Sequence, residues 1–585
     1  MPQETRVCQN CKHPFTIEPE DFAFYEKMSV PPPTWCPECR MIRRMMFRNE
    51  RYLFRRKDNA GGKEIFSGFS PQAPVVVYEK EYWWGDGWDA TAYARDYDFS
   101  RSFFEQIREL INAVPRPGQN VLYNINCDYG NNLGNSKNCY LCFNLDYGED
   151  SAYLINAYYS KNCFDITSAF KGELNYDSIL IDGCFQTFFS YACEACRNVW
   201  FSRNCVGCSD CFGCVNLRNK QYYIFNKPYT KEAYFEELKR MNLGSHAAIT
   251  AMREQIREYW NTYPYKYMFG YRNKDVTGDW IANSKNVKSS FNVIGAEDSK
   301  YCQDLPQGGK DNYDYTLWGD TAEQIYESIV TGWGARNVKF SNECWPAPQD
   351  MEYCLYCSSS SNLFACAGLK KKSYCILNKQ YSKEDYFALR EKIIRHMNDL
   401  PYTDRKGCVY RYGEFFPPEF SPFAYNETIA QDFFPLTKDE AEAKGFLWRA
   451  PPARAYQTTL RANDLPDHIR ETPDTILKEI IACASCGKAY RIIQMELDFL
   501  RTMSLPLPRM CPECRFAART KYRNPPRFYT WQCRCAGDKS TDSVYANTTP
   551  HQHGPDHCPN EFETSYAPER PEIVYCEQCY QQEVV

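Results

Sequence analysis

The chain of 585 residues is short of several things that name a function. It has no run of 18 apolar residues, so no membrane-spanning helix is expected. Its start, MPQETRVCQNC, has no charged segment leading into an apolar one, so no secretory signal is expected. Only 7 of its residues are His, which argues against imidazole chemistry. A Gly-rich phosphate loop, a nucleophile elbow and an HExxH helix are all missing. Charge is balanced, with a net of −5. What the chain does have is thiol and ring: 31 Cys, 45 Tyr and 36 Phe. Without a secretory signal, that many thiols point to a reducing, cytoplasmic setting and to metal binding or burial, not disulfides.

The thiols begin and end the chain in one pattern. Cys8-Gln-Asn-Cys11 is followed by Cys36-Pro-Glu-Cys39, and Cys483-Ala-Ser-Cys486 by Cys511-Pro-Glu-Cys514, with the same interval between the pairs each time. The second copy repeats the first without a gap, and Ile17/Ile492, Phe24/Phe499 and Met28-Ser29/Met503-Ser504 keep register. Two CxxC pairs supply the four thiolates of a closed tetrahedral zinc site, with an iron–sulfur centre the residual alternative. Such a site keeps no open position, so it reads as structural. At the C-terminus, Cys576 and Cys579 predict a third site. Its other ligands come from Cys533, Cys535, Cys558 and His553, with Cys535 and Cys558 favoured. Three zinc ions are therefore expected. Pro74–Tyr82 aligns with Pro571–Cys579 but places Glu79 and Tyr82 where Cys576 and Cys579 stand, so that copy is expected to bind no metal.

The CxxC and CPECR knuckles, with the aromatic and Pro residues between them, resemble zinc ribbons of the treble-clef type, in which the second knuckle opens a helix. The whole chain is similar to large zinc-ribbon proteins of the kind predicted from candidate-phylum bacteria, a resemblance that implies no activity.

The segment after the second knuckle carries Arg40, Arg44, Arg48, Arg51 and Arg55 at helical spacing, and Arg515, Arg519 and Arg523 repeat its start. A row of guanidinium groups suits phosphate, and Phe47, Tyr52 and Phe54 could stack on bases. The alternatives are pairing with an acidic protein patch, of this chain or another, and a solvated face.

In the middle, Cys142, Cys163, Cys184 and Cys205 recur at one constant interval, with Tyr159, Leu180 and Phe201 as a second column at the same interval. A period of about 20, with short β-prone runs and Asn, Gly and Asp corners, predicts a parallel β-helix of three strands per rung. The stretch is duplicated: Ser136-Lys-Asn matches Ser284-Lys-Asn, and Phe212–Tyr222 matches Phe364–Tyr374. In the second copy Cys208 and Cys211 become Ser360 and Leu363, which favours a buried thiol ladder over a metal cluster for Cys193–Cys214. Thr230 and Ser382 predict helix N-caps, and a helix is expected near 245–261, all read as caps over the solenoid ends.

The expected architecture is α+β, mostly β: a zinc module (1–58), a degenerate ribbon and helix (59–118), solenoid lobes with capping helices (119–262 and 263–400), a Phe/Pro-rich connector (401–475), a second zinc module (476–530) and a closing ribbon (531–585). The function expected first is a non-catalytic scaffold for nucleic acid, RNA or ribosome-associated. A protein-assembly scaffold comes second. An enzyme using Asp128, Asp146, Asp165 or Asp304 on the solenoid face comes third. No membrane or small-molecule partner is expected.

Overall fold

In the computed structural model, which describes residues 2–450 and 456–585, the backbone of the middle region repeats in triplets. Asn135, Asn138, Leu141, Asn144, Tyr147, Asp150 and Tyr153 all have φ between 48° and 61°, and the pattern continues to Phe225. Two extended residues and one left-handed residue make one side of a coil, and four such triplets close it. Phe143 therefore pairs with Ile155, Ile155 with Thr167, and Arg197 with Ser209, each step being one four-triplet coil. The result is a parallel β-solenoid, as expected, but its coils have four sides and are much shorter than the three-strand rungs read from the Cys interval. In the second lobe Tyr313 pairs with Tyr326 and Arg336 with Gln349, so coils there gain a residue before Gln349 pairs with Ser361 and the four-triplet length returns.

The triplet explains the composition. Left-handed backbone costs most residues on the order of 1–2 kcal/mol, and Asn and Asp least among those with a side chain. Asn and Asp accordingly recur at the corners and bond from coil to coil. Asn126 donates to Asn138 (3.0 Å), Asn138 to Asp150 (2.7 Å), and Asn204 to Asn216 (2.9 Å). Rings stack at the same offset: Tyr147 lies on Tyr159 at 4.7 Å and Phe189 on Phe201 at 4.7 Å. Tyr159, Leu180 and Phe201 are thus corner residues and not an inward column.

One residue per triplet points inward. The core of the first lobe contains Cys139, Cys142, Leu145, Leu154, Ala157, Cys163, Ile166, Cys193, Cys196, Val199, Cys205, Cys208, Cys211 and Cys214, all separated by whole triplets. The interval from Cys142 to Cys163 is seven triplets, one coil and three-quarters, so those thiols lie on different sides of the coil. The stacked thiols are one coil apart: Cys127 under Cys139, Cys184 under Cys196, Cys196 under Cys208. Each thiol donates to carbonyls, as Cys193 does to Tyr191 and Ser202 at 3.6 Å. Inward Ser hydroxyls accept from the next coil's amide, as Ser202 does from Cys214 at 3.0 Å. Among the described residues, none of these thiols belongs to a group able to hold a metal ion. Burial pushes the Cys163 thiol up to about 12, so it stays protonated.

Each lobe ends in a hairpin, Gln221–Ile224 with Lys227–Pro228 and Ser373–Ile376 with Lys379–Gln380. A helix then packs on the last strand, Lys231–Arg240 capped by Thr230 and Lys383–Asp399 capped by Ser382. The helix His246–Trp260 runs along the coils and does not cover their end: Arg253 pairs with Asp177, and Trp260 Nε1 donates to the Phe201 carbonyl at 3.1 Å. Two compact units result, and the chain passes between them repeatedly. One comprises 1–119, 268–450 and 525–528; the other 120–267, 451–524 and 529–585. The N-terminal Cys module thus shares a unit with the second lobe, and the C-terminal modules with the first. Part of the expected connector, 451–455, lies outside the described residues. No helix among those described is long and apolar enough to cross a membrane.

The thiol ladder is testable with Cys208→Ala and Cys211→Ala together. The metal content should equal that of the wild type, and the loss of stability should be on the order of 1 kcal/mol per residue. A loss of bound metal would contradict the ladder.

Candidate metal centres

Two Cys tetrads assemble from closely repeated local geometry, and a third shares the helix-start half of it. In the first, the antiparallel strands Glu4–Val7 and Pro14–Ile17 lead into and out of a knuckle. The Cys8 amide donates to the His13 carbonyl (2.9 Å) and the Lys12 amide to the Cys8 carbonyl (3.0 Å), with Lys12 at φ 65°. In the second, Cys483 N donates to Lys488 O (2.9 Å), and Gly487 occupies the left-handed position at φ 71°. The partner pair lies at a helix start. Cys36 is the N-cap of Pro37–Met45, Cys511 of Pro512–Thr520 and Cys576 of Glu577–Val584. There the helix field favours thiolate. In all three the N-cap amide donates to a thiol across the site at 3.2 Å: Cys36 to Cys8, Cys511 to Cys483, Cys576 to Cys533.

These groups are Cys8, Cys11, Cys36 and Cys39; Cys483, Cys486, Cys511 and Cys514; and Cys533, Cys558, Cys576 and Cys579. Their sulfurs fit an ion. A tetrahedron with Zn–S bonds of about 2.3 Å has edges of about 3.8 Å. Cys11–Cys36 is 3.8 Å, Cys486–Cys511 3.7 Å and Cys558–Cys576 3.9 Å. The third site corrects one expectation: Cys533, not Cys535, completes it. Two positions apart on the chain, the two thiols reach different places. Cys535 lies instead with His551, His553 and Cys579, a fourth group able to hold a metal. His551 was not among the residues singled out by spacing.

The degenerate copy follows the C-terminal tetrad without thiols. The strand Val77–Tyr78 leads to the helix Lys80–Trp84, whose N-cap Glu79 accepts from Tyr82 N, as Val574–Tyr575 leads to the helix capped by Cys576. Asp58, which stands to Cys533 as Cys8 stands to Cys483, turns its carboxylate to the amides of Ala60 (2.7 Å), Gly61 (2.8 Å) and Lys63 (2.9 Å). Lys63 pairs with Glu79 at 3.0 Å, so the position of Cys576 carries a carboxylate held by an ion pair in this copy.

The arginine row corrects a second expectation. The helix ends at Met45, and residues 54–57 form a strand, so the row is not one helical stripe. Arg40, Arg44, Arg48, Arg515 and Arg519 lie buried, each against its own unit. Arg40 pairs with Asp314 (2.8 Å), and Arg44 with Asp314 (3.2 Å) and Glu327 (2.9 Å). Arg43, absent from the predicted row, bridges Glu327 (2.8 Å) and Glu414 (2.9 Å). Arg48 pairs with Glu343, and Arg51 with Asp432 at 2.5 Å. Arg55 is exposed and only loosely paired with Glu64 at 3.7 Å. In the other unit Arg515 pairs with Asp165 (2.5 Å) and Glu496 (2.8 Å), and Arg519 with Asp165 (3.0 Å) and Asp177 (3.1 Å). Arg523 lies half-buried beyond the helix end.

The two docking surfaces are copies of each other. Asp165 and Thr167 receive Arg519 as Asp314 and Thr316 receive Arg44. Phe499 packs on Phe164 with the rings tilted by 33° and 4.5 Å apart, and at the equivalent place Phe24 stacks on Tyr313 at 3.9 Å. Burial pulls the Arg40 and Arg515 guanidinium groups down, but the facing carboxylates outweigh it and hold both charged. Burial raises Glu327 and Asp165 against the pull of their arginines. Asp165 is therefore the anchor of an ion cluster and not a free catalytic carboxylate. Asp304 is also buried, and the Gln303 amide donates to it at 2.7 Å. Asp146 accepts from Asn135 at 3.1 Å.

No protein-family model and no curated protein matches the sequence. A crystal structure described as a "putative acetyltransferase" from Desulfovibrio desulfuricans G20 covers 50% of this chain and 74% of its own at 10% identity. Its TM-score is 0.10, a likeness that carries no argument about fold or activity.

Removing one member of a buried ion cluster strands the others. Arg44→Glu should cost about 3–5 kcal/mol or more, read as the fall in denaturant midpoint of the transition that involves 268–450. Wild-type stability in that variant would contradict the docking role.

Proposed function

We propose that the chain is a non-catalytic scaffold, stabilised by structural zinc, that binds another protein through its solenoid surface. The observation that carries this reading is the burial of Arg40, Arg43, Arg44, Arg48, Arg515 and Arg519 in carboxylates of the chain itself. A row of guanidinium groups committed to internal ion pairs offers little to a phosphate backbone, and a net charge of −5 adds nothing to attract one. Zinc is the ion of choice because all-thiolate tetrahedra suit it and leave no position open to substrate. The tetrads are read as treble-clef ribbons whose task is to aim an arginine-bearing helix at the solenoid.

The first coil of the first lobe supplies the contact surface in this reading. Tyr123 and Ile125 are 78% and 59% exposed there, at the end where the stack of strands begins. A stack end with exposed apolar side chains accepts a further strand, by main-chain bonding with side-chain pockets for specificity. The partner we infer is therefore a protein that donates an extended apolar segment.

Two measurements separate this from nucleic-acid binding. Retention of single-stranded RNA should stay at background between about 50 and 200 mM salt. A partner protein retained in high salt should be lost by Tyr123→Asp with Ile125→Asp, with zinc content unchanged. RNA retention that falls steeply with salt would reject the reading.

A further inference from the structure

The C-terminal module gathers seven side chains able to bind metal where one tetrahedral ion uses four. Cys533, Cys558, Cys576 and Cys579 form one group; Cys535, His551, His553 and Cys579 form another; within each, every donor atom lies within 4.8 Å of the rest. Cys579 belongs to both. We propose that this module holds two zinc ions joined by the Cys579 thiolate, so that the chain binds four ions and not three.

The second group is built as a metal site in its own right. His551 Nδ1 and His553 Nε2 stand 3.0 and 3.3 Å from Cys535 Sγ. Zn–S and Zn–N bonds of about 2.3 and 2.0–2.1 Å at a tetrahedral angle span about 3.6 Å, so a small relaxation admits the ion. His551 turns its other nitrogen, Nε2, to Glu583 Oε2 at 3.2 Å, with both side chains fully buried. A carboxylate behind the far imidazole nitrogen fixes the tautomer that leaves Nδ1 as ligand. Glu583 is itself held, through its other oxygen, by Tyr545 Oη (2.7 Å) and by the amide and hydroxyl of Thr548 (2.8 Å each). Asn547 Nδ2 donates to Cys535 Sγ at 3.3 Å, as Asn560 does to Cys576 at 3.4 Å and Asn10 to Cys39 at 3.2 Å. An amide N–H on a thiolate is thus common to this group and to two of the tetrads.

A single ion in the first group would leave the Cys535 thiol and two imidazoles packed together without a purpose. With both ions present, five thiolates and two dications sum to −1, which the neutral imidazoles leave unchanged. The internal copy supports the same conclusion. Where the degenerate copy has Asp58 and Glu79, it joins the strands Phe54–Lys57 and Glu64–Ser67 by a short turn. The C-terminal module instead makes a long excursion between Tyr529–Gln532 and Glu561–Thr564, and all its His residues lie on it. The copy without thiols also lacks this loop.

Elemental analysis of the full-length chain should give four zinc per molecule, and His551→Ala with His553→Ala should give three. Cobalt(II) exchanged into the wild type should show a magnetically coupled pair, since one sulfur links two of the ions. Three zinc in the wild type, four in the His variant, or four cobalt ions that are all uncoupled would each overturn the shared-thiolate centre.

Discussion

The organisation of this protein depends on a charge cluster removed from water. A helix that starts at a Cys tetrad presents arginines to carboxylates on the side of a β-solenoid, and it does so twice with equivalent residues. Separating such charges from water costs several kcal/mol per ion, which is recovered only when every partner is in place. Asp165 and Asp314 each receive two guanidinium groups. The tetrad matters because it sets the direction of that helix. The thiols and the arginines are therefore parts of one device, and the tetrad reaches the solenoid through the ion cluster.

The solenoid supplies the rigid counterpart. A three-residue repeat places one side chain inside, and a four-triplet coil stacks like on like, so small residues such as Cys, Ser, Ala and Val fill a narrow core. Hydroxyls and thiols there satisfy backbone groups of the next coil and lock the register. Outward carboxylates on such a frame stay where the arginine helix needs them.

Much of this was legible in the residues. The duplication that relates Cys8 to Cys483, both CPEC tetrads, the Thr230 and Ser382 caps and the solenoid itself follow from spacing and composition. The coil length did not, because its left-handed corner is filled by Tyr, Leu, Phe and Lys as well as Asn and Asp, which hides a period of three. The even interval from Cys142 to Cys205 was an alias of whole triplets. The acids that receive the arginines left one usable trace: Asp165-Ile-Thr167 and Asp314-Tyr-Thr316 fall at nearly the same offset as Ser136-Lys-Asn and Ser284-Lys-Asn in the duplicated lobes. The exchange of modules between units left none, since long-range pairing of duplicated parts is decided by tertiary contacts. Spacing left Cys533 and Cys535 both open and could not rank them correctly, since the choice depends on which way a strand enters the site.

The central claim is that the helices opened by the Cys tetrads are fastened to the solenoid by charge. A double-mutant cycle on Arg519→Met and Asp165→Leu measures this directly, by denaturant unfolding of each single variant and the pair. The expected result is strong non-additivity, with the double variant more stable than the sum of the single losses by about 1–3 kcal/mol. Additive losses would mean that Arg519 and Asp165 contribute independently, and the clasp would not be what holds the helix on the solenoid.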